Sequence, residues 1–402
     1  MTRPSGEEPL EVVLDVSAVP ERPAGAGRYI VELARALSEI PELSLSAVSR
    51  QKDTARWRAI APSARLLPLV PAARPARLAF ERLALGPALS RRAAGAVYHG
   101  PHYTLPGGLS GGRVVTVHDL TFFAHPEWHE RSKLSFFRAA IRRAAEQADV
   151  IVCVSETTAR RLSELVAVRG EVVVAEHGVD HDRFSPGPAE PERLSAELLS
   201  WLGREELERR LVVHVGTLEP RKGVVDLVRA FERLAAGRPE LRLVLAGLAG
   251  WGAGELEEAI SSSSAAGQIR RLGWVPDEEV VALMRMAGAV AYPSHEEGFG
   301  LPALEAMATG APLVTTAGTA MAEFAAGAAL LAPAGDPAGL AAALERCLDQ
   351  SREERRRRAA LGLERAARFT WAETARRHVA AYRSAREAAA TRSSLRRPSR
   401  RR

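Results

Sequence analysis

The 402-residue sequence contains no asparagine, three lysines and two cysteines. Cys153 and Cys347 are too few for a disulfide framework, and each lies in an apolar stretch. We therefore expect two buried thiols and no metal site built from them. No apolar run reaches the ~18 residues that a membrane-spanning helix needs. The first residues also lack the apolar core of a signal peptide, and we expect a cytoplasmic protein.

Acidic residues are missing from the last dozen residues, which contain six arginines. This segment accounts for the formal net charge of +6. We expect residues 391–402 to form a disordered basic tail. Such a tail can be a solvated end without a role, or it can contact anionic lipid at the inner face of a membrane. We expect no nucleic acid as a partner.

The length of the chain exceeds what one ordinary hydrophobic core accommodates, and the pattern of strands and helices predicts two α/β domains. A Pro- and acid-rich stretch at 185–192 predicts the linker between them. We place an N-terminal Rossmann-like domain at 1–187 and a C-terminal one at 188–370.

The first domain opens with a strand-like run from Glu11 to Val16, a Gly25-Ala26-Gly27 loop and a helical pattern from Arg28 to Ile40. This order is typical of a Rossmann-like fold, although a short glycine pair alone is a weak signal. Residues 53–93 are rich in Ala, Arg, Leu and Pro and predict irregular helices.

Histidines follow the clear strand Val114–Val117. His118 and Asp119 stand at its carboxyl end, where an acid can orient an imidazole and tune it near neutral pH. The alternative is a histidine that caps the strand through backbone hydrogen bonds. His125 and His129 have the spacing of metal ligands on a helix, but Pro126 and the lack of a third ligand argue against zinc.

A second group of candidate residues follows the β-forming run Leu211–Val215. Arg221 and Lys222 stand beside Gly223, at the start of a helical pattern from Val224 to Ala235. Fixed positive charge and backbone N–H groups at a helix start are what a diphosphate needs. The alternative is a solvated basic turn.

Residues 289–315 predict a strand, a glycine loop, a helix and a further strand. The helix begins at the carboxyl end of a strand, so its free N–H groups form an anion-binding site suited to a phosphate. Glu297 and Glu305 flank that site, and carboxylates are acceptors for hydroxyl groups. The ligand should therefore carry both phosphates and sugars. The alternative is an ordinary glycine turn with surface charges.

The run Glu-Gly-Phe-Gly-Leu-Pro-Ala-Leu-Glu from Glu297 to Glu305 resembles the paired-glutamate motif of retaining glycosyltransferases of family 4, also called group 1. Arg221 and Lys222 resemble the arginine–lysine pair of that family. The resemblance covers nearly the whole chain. It implies the GT-B fold, in which two Rossmann-like domains face each other across a cleft and a C-terminal helix, here 371–390, crosses back to the first domain.

The resemblance also implies site residues. Glu305 should hold the ribose, Arg221 and Lys222 the diphosphate, and Glu297 the transferred sugar, which His118 should face from the first domain. His118, Glu297, Arg221 and Lys222 are the candidate catalytic residues, and Gly25 and Gly27 form the acceptor-side loop, with Ala24 in place of a glycine common in the family. The complete set of candidate donor-binding residues is Gly216, Thr217, Arg221, Lys222, Val275, Glu297, Gly298, Phe299, Gly300, Leu301 and Glu305.

The reaction implied is transfer with retention from a nucleoside-diphosphate sugar to a glycan or lipid-linked saccharide, without a metal or cofactor and with the leaving phosphate as base. The run from Val117 to His129 is similar to bacterial mannosyltransferase-like members, which favours a mannose-type donor on a guanine nucleotide (GDP-mannose). Three other functions stay open: a sugar-nucleotide epimerase, a phosphorylase, for which no lysine offers a good pyridoxal phosphate site, and a non-catalytic partner subunit that binds nucleotide or lies on a membrane.

Overall fold

The computed structural model describes residues 9–203 and 207–396. These residues form two compact units. The first unit contains the described residues up to Ala124, those of Arg131–Gly178 and those from Trp371 onward, and the second contains His125–Glu130 and the described part of Val179–Thr370. The main change of unit thus falls at Gly178, before the sequence-based boundary at 187/188.

Seven parallel strands form the sheet of the first unit, in the spatial order β3-β2-β1-β4-β5-β6-β7. Alternate residues of a strand enter different cores on the two faces of the sheet, as the pleat requires. Val12 and Leu14 of β1 pack on one face, whereas Val13 packs on the other. The strands are β1 (Leu10–Asp15), β2 (Leu43–Arg50), β3 (Arg65–Val70), β4 (Val97–Gly100), β5 (Arg113–Val117), β6 (Val150–Cys153) and β7 (Glu171–Val174).

Helices cover both faces of this sheet. Within the described residues they are α1 (Ala26–Ser38), α2 (Thr54–Ile60), α3 (Arg74–Leu83), α4 (Leu85–Arg92), α5 (Thr121–Ala124), α6 (Arg131–Gln147), α7 (Glu156–Leu165) and, from the end of the chain, α17 (Trp371–Arg396).

The prediction of irregular helices at 53–93 was wrong for part of that segment, which contains strand β3 as well as α2, α3 and α4. The run Arg-Leu-Leu-Pro-Leu-Val of β3 includes Pro68. Proline cannot donate to a neighbouring strand, so it is tolerated only at the edge of a sheet. β3 is an edge strand, and its proline conceals it from a reading of the sequence.

Six parallel strands form the sheet of the second unit, in the order β10-β9-β8-β11-β12-β13. The strands are β8 (Leu211–Val215), β9 (Arg242–Ala246), β10 (Ile269–Gly273), β11 (Ala289–Tyr292), β12 (Leu313–Thr316) and β13 (Leu330–Ala332). Within the described residues the helices are α8 (Ala196–Leu202), α9 (Leu207–Arg210), α10 (Val224–Ala235), α11 (Ala253–Ser262), α12 (Asp277–Met286), α13 (Leu301–Ala308), α14 (Ala320–Ala325), α15 (Pro337–Leu348) and α16 (Arg352–Ala366).

Both sheets have a switch point, where the direction of chain progression across the sheet reverses. It lies between β1 and β4 in the first unit and between β8 and β11 in the second. In open α/β sheets, ligands bind beyond the carboxyl ends of the strands at such a point. These two edges are therefore where functional side chains are expected.

The last helix, α17, extends farther than the sequence suggested. Residues 391–396, predicted as part of a disordered tail, continue the helix, and residues 397–402 lie outside the described part of the chain. Arg392 pairs with Asp149 and donates to the carbonyl of Gly111 (3.0 Å), so its charge helps to fix α17 on the first unit.

Cys153 and Cys347 are buried free thiols, as predicted. Among the described residues, no helix combines the length and the apolar character required to span a membrane.

Candidate active site

Two loops meet at the switch point of the second sheet. β8 leads into residues 216–223, and β11 leads into residues 293–300. The two strands are parallel neighbours, so both loops leave the sheet at the same edge. The main-chain N–H of His295 donates to the carbonyl of Arg221 (2.9 Å) and joins the two loops.

Gly223 allows the loops to approach this closely. Its φ of 63° is in the left-handed region that favours glycine, and a Cβ there would lie 2.1 Å from the carbonyl oxygen of Pro293. Arg221 and Lys222 occupy the single 3₁₀ turn just before Gly223. The absence of a side chain at this position thus brings both cations against the second loop.

The candidate residues Arg221, Lys222 and Glu297 form one charged cluster. Lys222 pairs with a carboxylate oxygen of Glu297, and Arg221 Nη1 lies 3.6 Å from the other oxygen. Arg221 Nε also contacts Glu219 Oε1 (2.6 Å), and the Ser294 hydroxyl donates to Glu297 (3.4 Å). The cluster therefore contains two cations and two carboxylates in mutual contact.

Each charged group of this cluster lies beside a group of opposite charge, which stabilises its ionised form. Burial acts to raise the pKa of Glu297, but the charges of Lys222 and Arg221 outweigh it and lower that pKa below its ordinary value. Burial, with the Arg221 charge, lowers the pKa of Lys222. An ionised carboxylate with lowered pKa is a weak base and a weak nucleophile, and it remains a good hydrogen-bond acceptor.

Helix α13 begins at the same edge, directly after the second loop. Gly300 precedes it with φ 97°, and a Cβ there would lie 2.2 Å from Cγ of Met321. No side chain caps the helix start. Pro302 has no N–H and the N–H of Ala303 donates to the carbonyl of Gly300 (3.0 Å), so the N–H of Leu301 is the first-turn group that is left for an anion. Phe299 is buried and packs against Phe324, at 5.3 Å between ring centroids, so its ring anchors the loop.

Glu305 lies in α13 and is buried. The pKa of the neighbouring Tyr292 hydroxyl is raised well above its ordinary value by burial and then by the charges of Glu305 and Glu297. The charges of both glutamates of the motif therefore act on the same buried hydroxyl, at the carboxyl end of β11.

The other candidate donor-binding residues are spread along this edge. Gly216 donates its N–H to the carbonyl of Ala246 (2.9 Å), and Thr217 beside it is half-buried. Gly298 and Leu301 are buried at the start of α13. Val275 follows the outer strand β10, which is two positions from β8 in the sheet.

Three residues of this site were missed by the sequence analysis. Glu219 and Ser294 are neighbours of the predicted residues in the chain, and their polar character in the two loops could have identified them. His214 lies inside β8, fully buried, and Nδ1–H donates to the carbonyl of Ala291 (2.9 Å) in β11. It joins the two switch-point strands, which no local sequence signal reveals.

In the first unit, His118 follows β5. Its Nε2 lies 2.8 Å from the carbonyl oxygen of Pro101. A carbonyl only accepts, so Nε2 carries the proton and Nδ1 is an acceptor. Burial, with the neighbouring His102, lowers the pKa of His118 to about 4.

The expectation of an imidazole tuned near neutral pH by Asp119 was therefore wrong. A carboxylate oxygen of Asp119 instead accepts from the main-chain N–H and the hydroxyl of Thr121. His118 is neutral at physiological pH, and it can accept a hydrogen bond but does not act as an acid there.

The loop that the sequence analysis predicts to bind the acceptor lies at the start of α1. Gly25 precedes the helix with φ 50°, and nothing lies within 4 Å of the position of a Cβ there. Gly27 is in the first turn, where a Cβ would lie 3.2 Å from Pro23.

The histidine pair at 125 and 129 does not share a helix, since the 3₁₀ turn Pro126–Trp128 separates the two residues. His125 stacks on Trp128, at 3.8 Å between ring centroids, and contacts Glu296 (3.3 Å). Among the described residues, no group of three side chains is arranged to hold a metal ion.

Comparison with known proteins gives two family matches. Residues 196–362 match the model described as glycosyl transferases group 1, and residues 23–183 match the model described as glycosyltransferase family 4. The O-antigen chain mannosyltransferase B of Escherichia coli is 31% identical over 289 residues, which cover 71% of this chain and 74% of that protein. The chain belongs to glycosyltransferase family 4.

Two further relatives are an inositol-phosphate glycosyltransferase and a second mannosyltransferase. A D-inositol 3-phosphate glycosyltransferase of Corynebacterium urealyticum is 32% identical over 61% of this chain, and the match spans 59% of that protein. A serotype-specific mannosyltransferase, WbdA of Escherichia coli, is 28% identical over 49% of this chain and 25% of its own length.

Solved structures share its two-domain fold. Sucrose-phosphate synthase from Thermosynechococcus elongatus has a TM-score of 0.72 at 20% identity, covering 94% of this chain and 99% of that one. Anabaena HepE in complex with UDP-glucose has a TM-score of 0.71 at 17% identity, covering 93% and 99%. These likenesses establish the GT-B fold.

Proposed function

We propose that the protein is a retaining glycosyltransferase that transfers a mannose-type sugar from a nucleoside-diphosphate sugar to a glycan or lipid-linked saccharide. The observation that supports this most strongly is the meeting of Arg221, Lys222 and Glu297 beside the uncapped start of α13. It combines donors for a diphosphate with an acceptor for sugar hydroxyls at one edge of one sheet.

The proposed catalysis follows from where charge develops. When the bond between the anomeric carbon and the diphosphate breaks, negative charge grows on the leaving group and positive charge on the sugar. Arg221, Lys222 and the Leu301 N–H at the start of α13 stabilise the leaving group, and stabilisation of this kind is usually the largest catalytic term. Glu305 holds the ribose.

Glu297 is proposed to orient the sugar rather than to attack it. In the free protein its charge is held by Lys222 and Arg221, and its pKa is lowered. When the diphosphate engages the two cations, the carboxylate can turn to hydroxyl groups of the sugar. The acceptor then attacks on the face that the leaving group occupies, and the leaving phosphate removes its proton.

His118 is proposed to accept a hydrogen bond from a hydroxyl of the sugar through Nδ1. Its Nε2–H is committed to Pro101, and its lowered pKa keeps the ring neutral. The loop at Gly25 and Gly27 is proposed to bind the acceptor. The mannose preference is supported by the likeness to O-antigen chain mannosyltransferase B.

The arginines of the C-terminal sequence are proposed to contact anionic lipid when the acceptor is lipid-linked. Arg392 does not belong to this group, because its guanidinium is engaged by Asp149 and Gly111. Binding to vesicles with and without anionic lipid tests this part of the proposal, and equal binding to both would contradict it.

A transfer assay tests the proposed reaction. The purified protein is incubated with GDP-mannose, UDP-glucose, ADP-glucose or a dTDP-sugar and with mannose-containing oligosaccharides, and the product linkage is determined by NMR. The proposal predicts that GDP-mannose is the preferred donor and that the α configuration of the donor is kept. Transfer with inverted configuration, or none from any donor, would contradict it.

A further inference from the structure

A chain of buried hydrogen bonds connects the C-terminal helix to the first sheet close to His118. Each bond is between 2.7 and 2.9 Å long, and every side chain in it is fully buried. The chain links, in order, Tyr382, His99, Thr116, Tyr29, His378 and the main-chain carbonyl of Thr374. It begins and ends on α17 and passes through β4, β5 and α1.

The carbonyl at one end fixes every proton in this chain. Because the Thr374 oxygen can only accept, His378 Nδ1 must donate to it, so His378 Nε2 accepts from the Tyr29 hydroxyl. Tyr29 has then used its single proton and must accept from the Thr116 hydroxyl.

The same argument continues to the other end. Thr116 in turn accepts from Nε2–H of His99, and Nδ1 of His99 accepts from the Tyr382 hydroxyl. Each hydroxyl and imidazole therefore has one role, and the loss of one member leaves its neighbours without a defined proton.

The members of the chain are held neutral by burial. Burial lowers the pKa of His99 well below its ordinary value and that of His378 to about 4. Burial also raises the pKa values of the Tyr29 and Tyr382 hydroxyls. Since none of the four side chains ionises near neutral pH, the proton order is constant across the physiological range.

The Tyr29 ring connects this fixed arrangement of protons to His118 by direct contact. The rings of Tyr29 and His118 form a T-shaped contact, with centroids 5.0 Å apart at an interplanar angle of 79°, and Tyr29 stacks on His177 at 4.8 Å. Tyr103 contacts His118 from another side, at 5.7 Å. The imidazole of His118 is thus held by its bond to Pro101, by the Tyr103 ring and by the Tyr29 ring, whose hydroxyl is fixed by the hydrogen-bonded chain.

We propose that Tyr29, His378 and Tyr382 are positioning residues for His118. The two residues of α17 fix the Tyr29 ring, and that ring holds the His118 imidazole with Nδ1 presented to a hydroxyl of the substrate. The C-terminal helix is then a part of the catalytic machinery of the first unit. This inference rests on the proposed role of His118.

The first test compares variants that interrupt the chain with one that only weakens packing. Tyr29→Phe and Tyr382→Phe keep the rings and remove the hydroxyls, and His378→Leu removes the acceptor for Tyr29. His378→Gln retains an acceptor near the position of Nε2. The matched control is Val379→Ala, since Val379 is a buried neighbour on α17 outside the chain.

The expected result is a selective loss of turnover. At a temperature where all variants are folded, we expect Tyr29→Phe and His378→Leu to lower kcat between about tenfold and about a hundredfold, as misplacement of a catalytic group does. KM for the donor should change by less than about threefold, and His378→Gln should recover part of kcat. If Val379→Ala loses as much kcat as these variants at equal loss of Tm, the chain is only structural and the proposal fails.

A second measurement does not depend on turnover. Long-range ¹H–¹⁵N spectra of the histidine side chains report which nitrogen carries the proton. We expect Nδ1–H at His378 and Nε2–H at His99 and His118 in the native protein, and a displaced His118 resonance in Tyr29→Phe. An unchanged His118 resonance would overturn the inference. Absence of transfer in the native protein, with these resonances as expected, would instead count against the proposed function alone.

Discussion

The charged cluster of Arg221, Lys222 and Glu297 and the neutral surroundings of His118 stand in similar places on two sheets with similar topology. Both lie beyond strand ends near a switch point, yet one uses ion pairs and the other uses neutral rings and hydroxyls. Topology therefore fixes where a site forms in each unit, and the residue chemistry fixes what the site can do.

Burial explains the contrast. The cations and Glu297 keep 12–20% of their side-chain surface exposed, so a ligand can reach them and replace one partner by another. The hydrogen-bonded chain around Tyr29 is fully buried, and an ion there would be costly. The first arrangement suits binding with exchange of partners, and the second suits rigid positioning.

The largest effect should come from the cations. We expect Lys222→Met or Arg221→Met to lower kcat/KM on the order of a hundredfold or more, because each removes a charge that faces the leaving diphosphate and leaves Glu297 less compensated. Initial rates with the preferred donor measure this.

The matched control is Lys52→Met. The Lys52 ammonium forms an exposed pair with Glu21 (3.1 Å), and exposed pairs contribute little to stability. If Lys52→Met and Lys222→Met lost the same amount of kcat/KM, the charged cluster would matter no more for the reaction than an exposed ion pair elsewhere on the surface.

Glu297→Gln should separate turnover from nucleotide binding. The amide keeps the size of the side chain but removes one charged partner from each cation, while Arg221 keeps its pair with Glu219 (2.6 Å). We therefore expect a nucleoside diphosphate to bind at least as tightly as in the native protein. kcat should fall by roughly tenfold or more, since the acceptor for the sugar is weakened. Calorimetric titration and rate measurements give the two values. If Glu297→Gln lost nucleotide binding and kept the native kcat, the proposed role of Glu297 would be wrong.

As pH falls, the hydrogen-bonded chain around Tyr29 should lose its contribution to stability before the charged cluster of Arg221, Lys222 and Glu297 does. The pKa of His378 is lowered from 6.5 to about 4 by burial, so its contribution to stability is complete above pH 6.5 and is lost as pH falls towards 4. That contribution is on the order of 3 kcal/mol. The pKa of Glu297 is lowered from 4.5, so its contribution is lost only below pH 4.5.

Melting temperatures between pH 7.5 and 4.5 check this order. The decline of Tm below pH 6.5 should be less steep in His378→Gln than in the native protein. An identical slope in both would show that His378 is not a source of acid sensitivity.

The smallest expected effects come from alanine substitutions in the two glycine loops, at Gly223 and at Gly25. Gly223→Ala places a Cβ 2.1 Å from a backbone oxygen at φ 63°, and we expect a loss of about 2–3 kcal/mol together with weaker nucleotide binding. Gly25→Ala meets no atom within 4 Å, so only its φ of 50° opposes the substitution, at about 1 kcal/mol. Chemical denaturation measures both. A larger cost at Gly25 would contradict the close approach of the two loops at Gly223.

Much of the second unit could be predicted from its sequence. The bounds of β8 and α10 match the predicted segments, and β11 begins at residue 289 as predicted, because the apolar runs of the two strands end at glycine or proline. The meeting of Arg221 with Glu297 follows from β8 and β11 being neighbours, which is a property of the fold rather than of either segment.

The surroundings of His118 could not be predicted in the same way. Tyr29 and His378 are separated by 349 positions and form a hydrogen bond only because α17 returns to the first unit. The lowered pKa of His118 comes mainly from burial, which the strand-end sequence does not reveal. The sequence suggested Asp119 as a partner for His118, but in the fold the Asp119 carboxylate accepts from the Thr121 hydroxyl instead.

The most direct test of the central claim is the thermal stabilisation of the native protein and of Lys222→Met by GDP, UDP, ADP and dTDP. A nucleotide at ~100 times its dissociation constant should stabilise the native protein by roughly 2.7 kcal/mol. The account predicts a clear response to one nucleotide, with GDP expected, and a much smaller response in Lys222→Met. No response to any of the four, or an equal response in both proteins, would contradict the assignment of the charged cluster as the diphosphate site.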